Sequence, residues 1–254
     1  MDTPTSNSLT IESTPKPAEM RGGMLRSWDR RFYLVITLVL IGIVAKGFWP
    51  SYYGPLVSGE GMSRPWIMHL HGAVFTGWML LLLLQVVLVS MGRLAAHQRV
   101  GMAGIFYGVG VLGLGLVVSW ASPLLHIRAG EWTVDRAAGF MLFPLVDMIL
   151  FAGFFGAAIA YRKKPEIHKR LILAATVALA FAAVGRMGMG PPQFYLVWIS
   201  PVLGGMAYDW FSRRRVHPVY LITLSIMTVA FFRMFFLESE GWLKIGRALL
   251  SPFL

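Results

Sequence analysis

Several ionisable side chains lie inside apolar stretches of the sequence, and five of them are of types that could support chemistry. They are two histidines of one stretch and three charged residues of later stretches, namely His69, His71, Asp147, Arg186 and Arg233. An ionisable group at membrane depth is costly and marks a candidate functional site. Imidazole nitrogens bind metals or donate hydrogen bonds, a carboxylate can accept a proton, and guanidinium groups neutralise anions. The set therefore predicts a polar site within a bundle of helices.

The two histidines are predicted to point to different sides of their helix. Residues two apart in an α-helix differ in direction by about 200°, so His69 and His71 cannot chelate one metal ion as an i, i+4 pair would. His71 shares its face with Phe75, Trp78 and Gln85, whereas His69 shares a face with small residues that let another helix approach. We expect one histidine to face a cavity and the other to be packed, and we assign His71 as the metal ligand or hydrogen-bond donor.

Asp147 lies too deep in its apolar run for its short side chain to reach the membrane surface. At 1.5 Å per residue it lies about 12 Å from the outer start of its helix. We therefore expect Asp147 to be protonated, or to be paired with Arg186 or Arg233. These two arginines, like Lys46, lie near the outer ends of their runs, where long cationic side chains can also extend to the headgroups.

Composition places these residues in a membrane protein. The 254-residue chain is 56% hydrophobic and 14% charged, whereas soluble domains are about 45–50% apolar and about 25% charged. The chain has no cysteine, which excludes disulfides and cysteine-ligated metal sites. Its net charge of +11 comes from cations clustered between apolar runs. That pattern is typical of a multi-pass membrane protein and not of a nucleic-acid-binding surface.

Seven apolar runs predict an all-α polytopic bundle over residues 26–237. A polar tail, expected to be disordered, covers residues 1–25, and residues 238–254 predict an amphipathic helix at the outer membrane interface. Pro-Pro at 191–192 separates the fifth and sixth runs, although one re-entrant element over 171–211 stays open. Lys and Arg concentrate in the even-numbered loops, which predicts a cytoplasmic N-terminus and an extracytoplasmic C-terminus. The runs cover residues 32–49, 66–91, 100–122, 139–161, 171–190, 193–211 and 218–237.

Three loops on the predicted cytoplasmic side share one spacing, a basic residue four positions before a histidine. Two explanations stay open. The loops are basic because topology requires it and the histidines are ordinary interfacial residues, or the loops form a ring that contacts anionic lipid or a partner. The three pairs are Arg93 and His97, Lys164 and His168, and Arg213 and His217.

A wider pattern covers residues 66–190. It comprises His-x-His-Gly at 69–72, Phe-x-Gly-Trp at 75–78 and Pro-Glu-x-His-Lys-Arg-Leu at 165–171. In this pattern the chain resembles a group of uncharacterised bacterial multi-spanning inner-membrane proteins. The resemblance implies a bacterial origin and a location in the inner membrane, and it assigns no activity.

The functional hypothesis is a redox-linked membrane protein that binds haem b, copper or a quinone in the outer half of the bundle. His71 would be the ligand or donor, while Arg186 and Arg233 would neutralise haem propionates or a quinone oxygen. Asp147 would be a proton acceptor or a charge partner. The alternative is a non-enzymatic transporter or sensor of a small solute or proton, with Asp147 as the titrating group. The sequence does not decide between these classes, nor whether the protein is an enzyme, nor its oligomeric state.

Overall fold

The computed structural model describes residues 17–60 and 64–254 of the chain. These residues are predominantly helical and contain no β-strand. The all-α membrane-type bundle predicted from composition is confirmed at this level. Residues 1–16 of the predicted disordered tail lie outside the described residues, and the first helix begins at Pro17.

The helices of the described chain are connected by short loops. Six helical segments are long and apolar enough to cross a membrane, namely Trp28–Ser58, Trp66–Ser90, Leu94–Arg128, Val134–Ala160, Pro165–Gly185 and Pro218–Phe235. The α-helices are α1 (Pro17–Phe48), α2 (Gly54–Ser58), α3 (Trp66–Ser90), α4 (Leu94–Arg128), α5 (Val134–Ala160), α6 (Pro165–Leu179), α7 (Phe181–Gly185), α8 (Pro191–Arg213), α9 (Pro218–Phe231) and α10 (Glu240–Leu250). A π-helical turn, Trp49–Tyr53, joins α1 to α2, and a 3₁₀ turn, Phe232–Phe235, follows α9.

The helix α8 has 23 residues but is not among these six segments. It begins at Pro191, where the Pro-Pro pair was predicted to separate two helices. Its composition includes Gln193 and Asp209, which lower its mean hydropathy. Phe194, near its start, lines the same cavity as Phe48 at the end of α1.

The two ends of the bundle differ in chemistry. We call one the cavity end; there α1 finishes at Phe48 and α3 begins just before His71, and both residues line one cavity. We call the other the network end; there Asp29 of α1 and Asp209 of α8 are both within ion-pair distance of Arg213. Helix α8 therefore extends from one end to the other.

The core is built around α6, which packs against α5, α8 and α9. Many of its buried residues are small, including Ala174, Ala175 and Ala178, so the neighbouring helices can approach closely. Large side chains from those neighbours fill the surrounding space, with Phe151 of α5 and Trp198 of α8 almost completely buried. Because α6 lies at the centre of the bundle, its two termini lie at opposite ends.

The C-terminal helix α10 packs on α5. Leu243 and Leu250 are buried there, and the indole Nε1 of Trp242 donates to the carbonyl oxygen of Ala138 at 2.9 Å. A Cβ on Gly246 would lie 2.8 Å from the Ala138 Cβ, which shows how closely the two helices approach. The predicted amphipathic helix in 238–254 therefore has its apolar face against protein, and its location at a membrane interface stays a prediction.

Gly47 allows α1 to approach α7. A Cβ at this position would lie 2.1 Å from the carbonyl oxygen of Ala183. We expect Gly47→Ala to destabilise the protein by about 1–3 kcal/mol, because backbone must move to relieve the overlap. Gly42→Ala in the same helix is the matched control, since a Cβ there meets nothing within 4 Å. Thermal unfolding in detergent measures both variants, and equal midpoints would contradict the close contact.

Candidate functional site

A cavity of about 640 Å³ opens at the cavity end between α1, α3, α4, α5, α6 and α7. Its volume lies within the range of small-molecule sites, about 300–1,000 Å³. Four charged or imidazole side chains line it, namely Arg64, His71, Asp147 and Arg186. Most of the remaining wall is apolar and aromatic, with rings from Phe48, Phe75, Trp78, Phe140, Phe143, Phe181 and Phe194.

The His71 side chain lies on the wall of this cavity. Its ring packs against Phe75, with the ring centroids 4.1 Å apart. The Nδ1 atom is buried and has no hydrogen-bond partner among the described residues. Because buried polar atoms are nearly always hydrogen-bonded, an unpaired nitrogen on a cavity wall is a group that a ligand could satisfy.

A second unpaired polar atom on the wall is the hydroxyl of Ser51, whose Oγ is buried without a partner in the part of the chain described. Ser51 lies in the π-helical turn, and such turns are frequent at functional sites. The next two residues hold this turn against α3. The hydroxyls of Tyr53 and Thr76 are 2.9 Å apart, and Tyr52 lies where a side chain on Gly72 would be. In the sequence, Ser51 carries no signal of a functional role other than the neighbouring Pro50.

The second histidine, His69, is not part of the cavity wall. Its ring centroid is 6.1 Å from that of Tyr52, and the Tyr52 hydroxyl donates to its backbone carbonyl oxygen at 3.5 Å. Its Nε2 atom is buried and unpaired within the described chain. The structure thus places the two histidines in different surroundings, with His71 toward the cavity and His69 beside the π-helical turn.

Asp147 is paired with Arg233, both being buried. A guanidinium nitrogen of Arg233 donates to the Asp147 carboxylate, and its Cζ lies 3.9 Å from the ring centroid of Phe181. Asp147 also lines the cavity, so one member of this pair is accessible to a ligand.

Arg186 is not the partner of Asp147, although the sequence allowed that pairing. Its Nη1 donates to the carbonyl oxygen of Ala182 at 2.6 Å, and its Cζ lies 4.6 Å from the ring centroid of Phe48. Arg186 follows α7, at a break in the helix, so its guanidinium packs back over the preceding turn. It still lines the cavity, at a different point of the wall from Asp147.

The cavity wall carries one histidine among its possible metal ligands. Within residues 17–60 and 64–254, no group of three or more His, Cys, Asp or Glu side chains is placed to hold a metal ion. His71 is the histidine on the cavity wall, and four thioethers also line it, namely Met68, Met79, Met148 and Met234. Ligation of copper or haem by His71 stays a prediction.

The network end contains a buried ion pair that the sequence analysis did not predict. Arg170 of α6 and Asp209 of α8 are each 1% exposed. The guanidinium donates to both carboxylate oxygens, with Nη2 to Oδ1 at 2.5 Å and Nε to Oδ2 at 3.2 Å. Arg170 also donates through Nη1 to the Glu166 carboxylate at 2.8 Å. Arg170 belongs to a basic loop that the positive-inside rule explains, but its side chain is buried in the core.

Further ion pairs extend this cluster to the beginning of α1. The Asp29 carboxylate accepts from Lys169 at 3.0 Å, from Arg213 at 2.6 Å and from the Tyr208 hydroxyl at 2.7 Å. Arg213 also donates to Glu166 at 2.6 Å. These contacts connect α1, α6 and α8, so the cations have a structural role in addition to their effect on topology.

The histidines of two of the three basic loops form contacts that connect neighbouring elements. His168 Nδ1 lies 2.8 Å from the carbonyl oxygen of Ala158, across the α5–α6 loop. His217 Nδ1 accepts from the backbone N–H of Val219 and caps α9. The backbone N–H of His217 donates to the carboxylate oxygen Oδ2 of Asp209 at 3.2 Å. These contacts favour the structural explanation for two of the three loops, and contact with anionic lipid stays a prediction.

The arrangement at the cavity end suits a flat, mostly apolar molecule with an oxygen acceptor. The aromatic wall would contact its body, while His71 and Ser51 could donate to the oxygen. No family model, curated protein or solved structure matches this chain.

Proposed function

We propose that this protein is a redox-linked membrane protein that binds a quinone in the cavity. The observation that carries the proposal is the pair of unpaired buried polar atoms, His71 Nδ1 and Ser51 Oγ, on a wall that is otherwise largely apolar. A quinone is a flat apolar ring with carbonyl oxygens that accept hydrogen bonds. The hydroxyl of Ser51 can donate, as can the imidazole in the tautomer that protonates Nδ1.

A quinone fits the lining residues better than copper or haem b. Copper is held by several nitrogen or sulfur ligands, and haem b requires at least one axial ligand on its iron. The wall offers one imidazole, His71, as a nitrogen ligand, and its other soft donors are the thioethers of Met68, Met79, Met148 and Met234. A quinone needs no coordinating set, and its oxygen would pair with the donors that now lack partners.

The proposal includes seven membrane crossings with a cytoplasmic N-terminus. Six segments meet the criteria of length and hydropathy, and α8 extends between the same two ends of the bundle. Basic loops concentrate at the network end, which the positive-inside rule assigns to the cytoplasm. The cavity would then lie in the outer half of the membrane. The resemblance of residues 66–190 to bacterial inner-membrane proteins, together with this charge pattern, supports a bacterial inner membrane as the location.

Cysteine labelling of vesicles tests this topology, because the chain has no cysteine of its own. We expect a membrane-impermeant maleimide to label Gln193→Cys, at the start of α8, from the outside of right-side-out vesicles. Arg215→Cys, after α8, should react only after permeabilisation, as should Lys163→Cys, which serves as the reference for the network end. If Gln193→Cys and Arg215→Cys react from the same side, α8 does not cross the membrane.

A second candidate function is a proton-coupled transporter or sensor. The observation that favours it is the Asp147 carboxylate, which lines the cavity while it is paired with Arg233. Protonation of the Asp147 carboxylate would break its ion pair with Arg233. Binding of a solute in the cavity would then be coupled to uptake or release of that proton. A transporter would show solute flux in a protein that binds no quinone, and Asp147→Asn would abolish that flux.

Quinone binding is measured by quenching of tryptophan fluorescence, since Trp78 lies on the cavity wall. We expect saturable quenching by 1,4-naphthoquinone. Each of Ser51→Ala and His71→Ala should weaken binding by about threefold to tenfold, because each removes one hydrogen bond worth about 0.5–1.5 kcal/mol. His69→Ala is the matched control, because His69 is not on the wall, and its affinity should stay unchanged. Absence of saturable quenching, or equal losses in His69→Ala and His71→Ala, would contradict the proposal.

A further inference from the structure

The polar part of the cavity wall carries an excess of positive charge. Arg64 and Arg186 both line the cavity, and neither forms a salt bridge with any residue described. Asp147 is the one carboxylate among the lining residues, and Arg233 neutralises its charge. The cavity therefore presents two guanidinium groups whose charge nothing on the described wall compensates.

Arg186 is oriented so that most of its donors stay available. One nitrogen, Nη1, donates to the Ala182 carbonyl oxygen, and the guanidinium lies over the ring of Phe48, which also lines the cavity. Arg186 also lines a second cavity, of about 470 Å³, together with Lys46 and Trp49. A third cation therefore adds to the positive potential around Arg186.

Such a field favours a ligand with negative charge. A guanidinium group binds two neighbouring oxygens through parallel hydrogen bonds, and bonds to a charged oxygen are stronger than those between neutral groups. Arg64 and Arg186 are both exposed, but the ring of Phe48 excludes water from one side of the Arg186 guanidinium and so strengthens this attraction.

We infer that the cavity selects an anionic quinone, one whose ring carries a deprotonated hydroxyl next to a carbonyl. In this arrangement Arg186, with Arg64, binds the neighbouring oxygens of the hydroxyl and carbonyl groups. His71 and Ser51 donate to the other ring carbonyl. The inference rests on the proposed quinone function and specifies the chemical class of its ligand.

Two probes of the same ring system separate charge from shape. 1,4-Naphthoquinone is neutral, while 2-hydroxy-1,4-naphthoquinone is ionised at neutral pH. We expect the native protein to bind the hydroxylated probe at least about tenfold more tightly, since a hydrogen bond to a charged group contributes about 1.5–3 kcal/mol. Arg186→Gln should remove most of this preference, and circular dichroism with thermal unfolding in detergent checks that the variant is folded. Arg128→Gln, a cation of α4 that does not line the cavity, should keep the full preference.

The possible outcomes distinguish the inference from the proposed function. Equal affinity of the native protein for the two probes would overturn the inference and leave quinone binding in place. A preference that persists in both Arg186→Gln and Arg64→Gln would also overturn it, because the anion would then be held elsewhere. If neither probe binds the native protein, the proposed function fails and the inference fails with it.

Discussion

Arg233→Met is expected to destabilise the protein by about 3–5 kcal/mol, because it leaves the buried Asp147 carboxylate without its cation. Asp147→Asn should be similarly harmful, since it leaves a buried guanidinium unpaired. Both side chains are buried, so water replaces the lost partner only poorly. Equilibrium unfolding in detergent, followed by circular dichroism, measures the loss in each variant.

The double variant Asp147→Asn/Arg233→Gln should recover part of the stability, because neither buried charge remains. Arg186→Gln is the control for loss of an arginine at the same end of the bundle, and it should change stability much less. If Arg186→Gln is as damaging as Arg233→Met, or if the double variant shows only the sum of the single losses, the assigned pairing is wrong.

At the network end, Arg170→Met should cost about 3–5 kcal/mol for the same reason, since the almost completely buried Asp209 would lose both hydrogen bonds from Arg170 and keep only Arg213, at 3.7 Å, as a nearby cation. Replacing the pair together, as Arg170→Met/Asp209→Leu, should be less harmful than the single change, because apolar side chains of similar size can pack there. The measurement is again equilibrium unfolding in detergent.

The control for this second prediction is Lys164→Met, a basic residue of the adjoining loop that forms no salt bridge among the described residues. Exposed substitutions of this kind usually change stability by no more than about 0.5 kcal/mol. Comparable losses in Lys164→Met and Arg170→Met would show that the network end depends on overall charge and not on this buried pair.

Apolar runs predict the positions of the helices well, but not where each helix ends. The third run covers residues 100–122, whereas α4 extends from Leu94 to Arg128, and the last run covers 218–237, whereas α9 ends at Phe231. In α4 the apolar pattern stops where charged and polar residues begin, yet the backbone hydrogen bonds of the helix continue. In α6 the extra residues include Glu166 and Arg170, whose charges are neutralised by partners on other helices.

The candidate site was predictable only in part. Helical geometry alone separates His69 from His71, because two residues correspond to about 200° of rotation. The partner of Asp147 could not be chosen from the sequence, because Arg186 and Arg233 both lie near ends of their runs. The 3₁₀ turn after α9 coincides with the inward position of Arg233, and the helix break after α7 gives Arg186 a different environment.

The features that were missed depend on contacts between distant parts of the chain or on irregular backbone. Asp29 and Arg213 are 184 positions apart, and no spacing rule connects them. Ser51 lies in a π-helical turn, where an extra residue shifts the direction of each side chain, so a regular helical pattern misplaces it. Sequence periodicity therefore identifies helices and faces, whereas pairings require the packed bundle.

Photolabelling with an azidoquinone tests the central proposal most directly, because it reports where the bound ring lies. After irradiation in native membranes and proteolysis, we expect the label on peptides that contain Ser51 or His71. Unmodified quinone in excess should prevent this labelling, and Ser51→Ala/His71→Ala should reduce it strongly. Labelling that is confined to the exposed face of α9, around Leu221 and Val229, and that excess quinone does not prevent, would contradict a quinone site in the cavity.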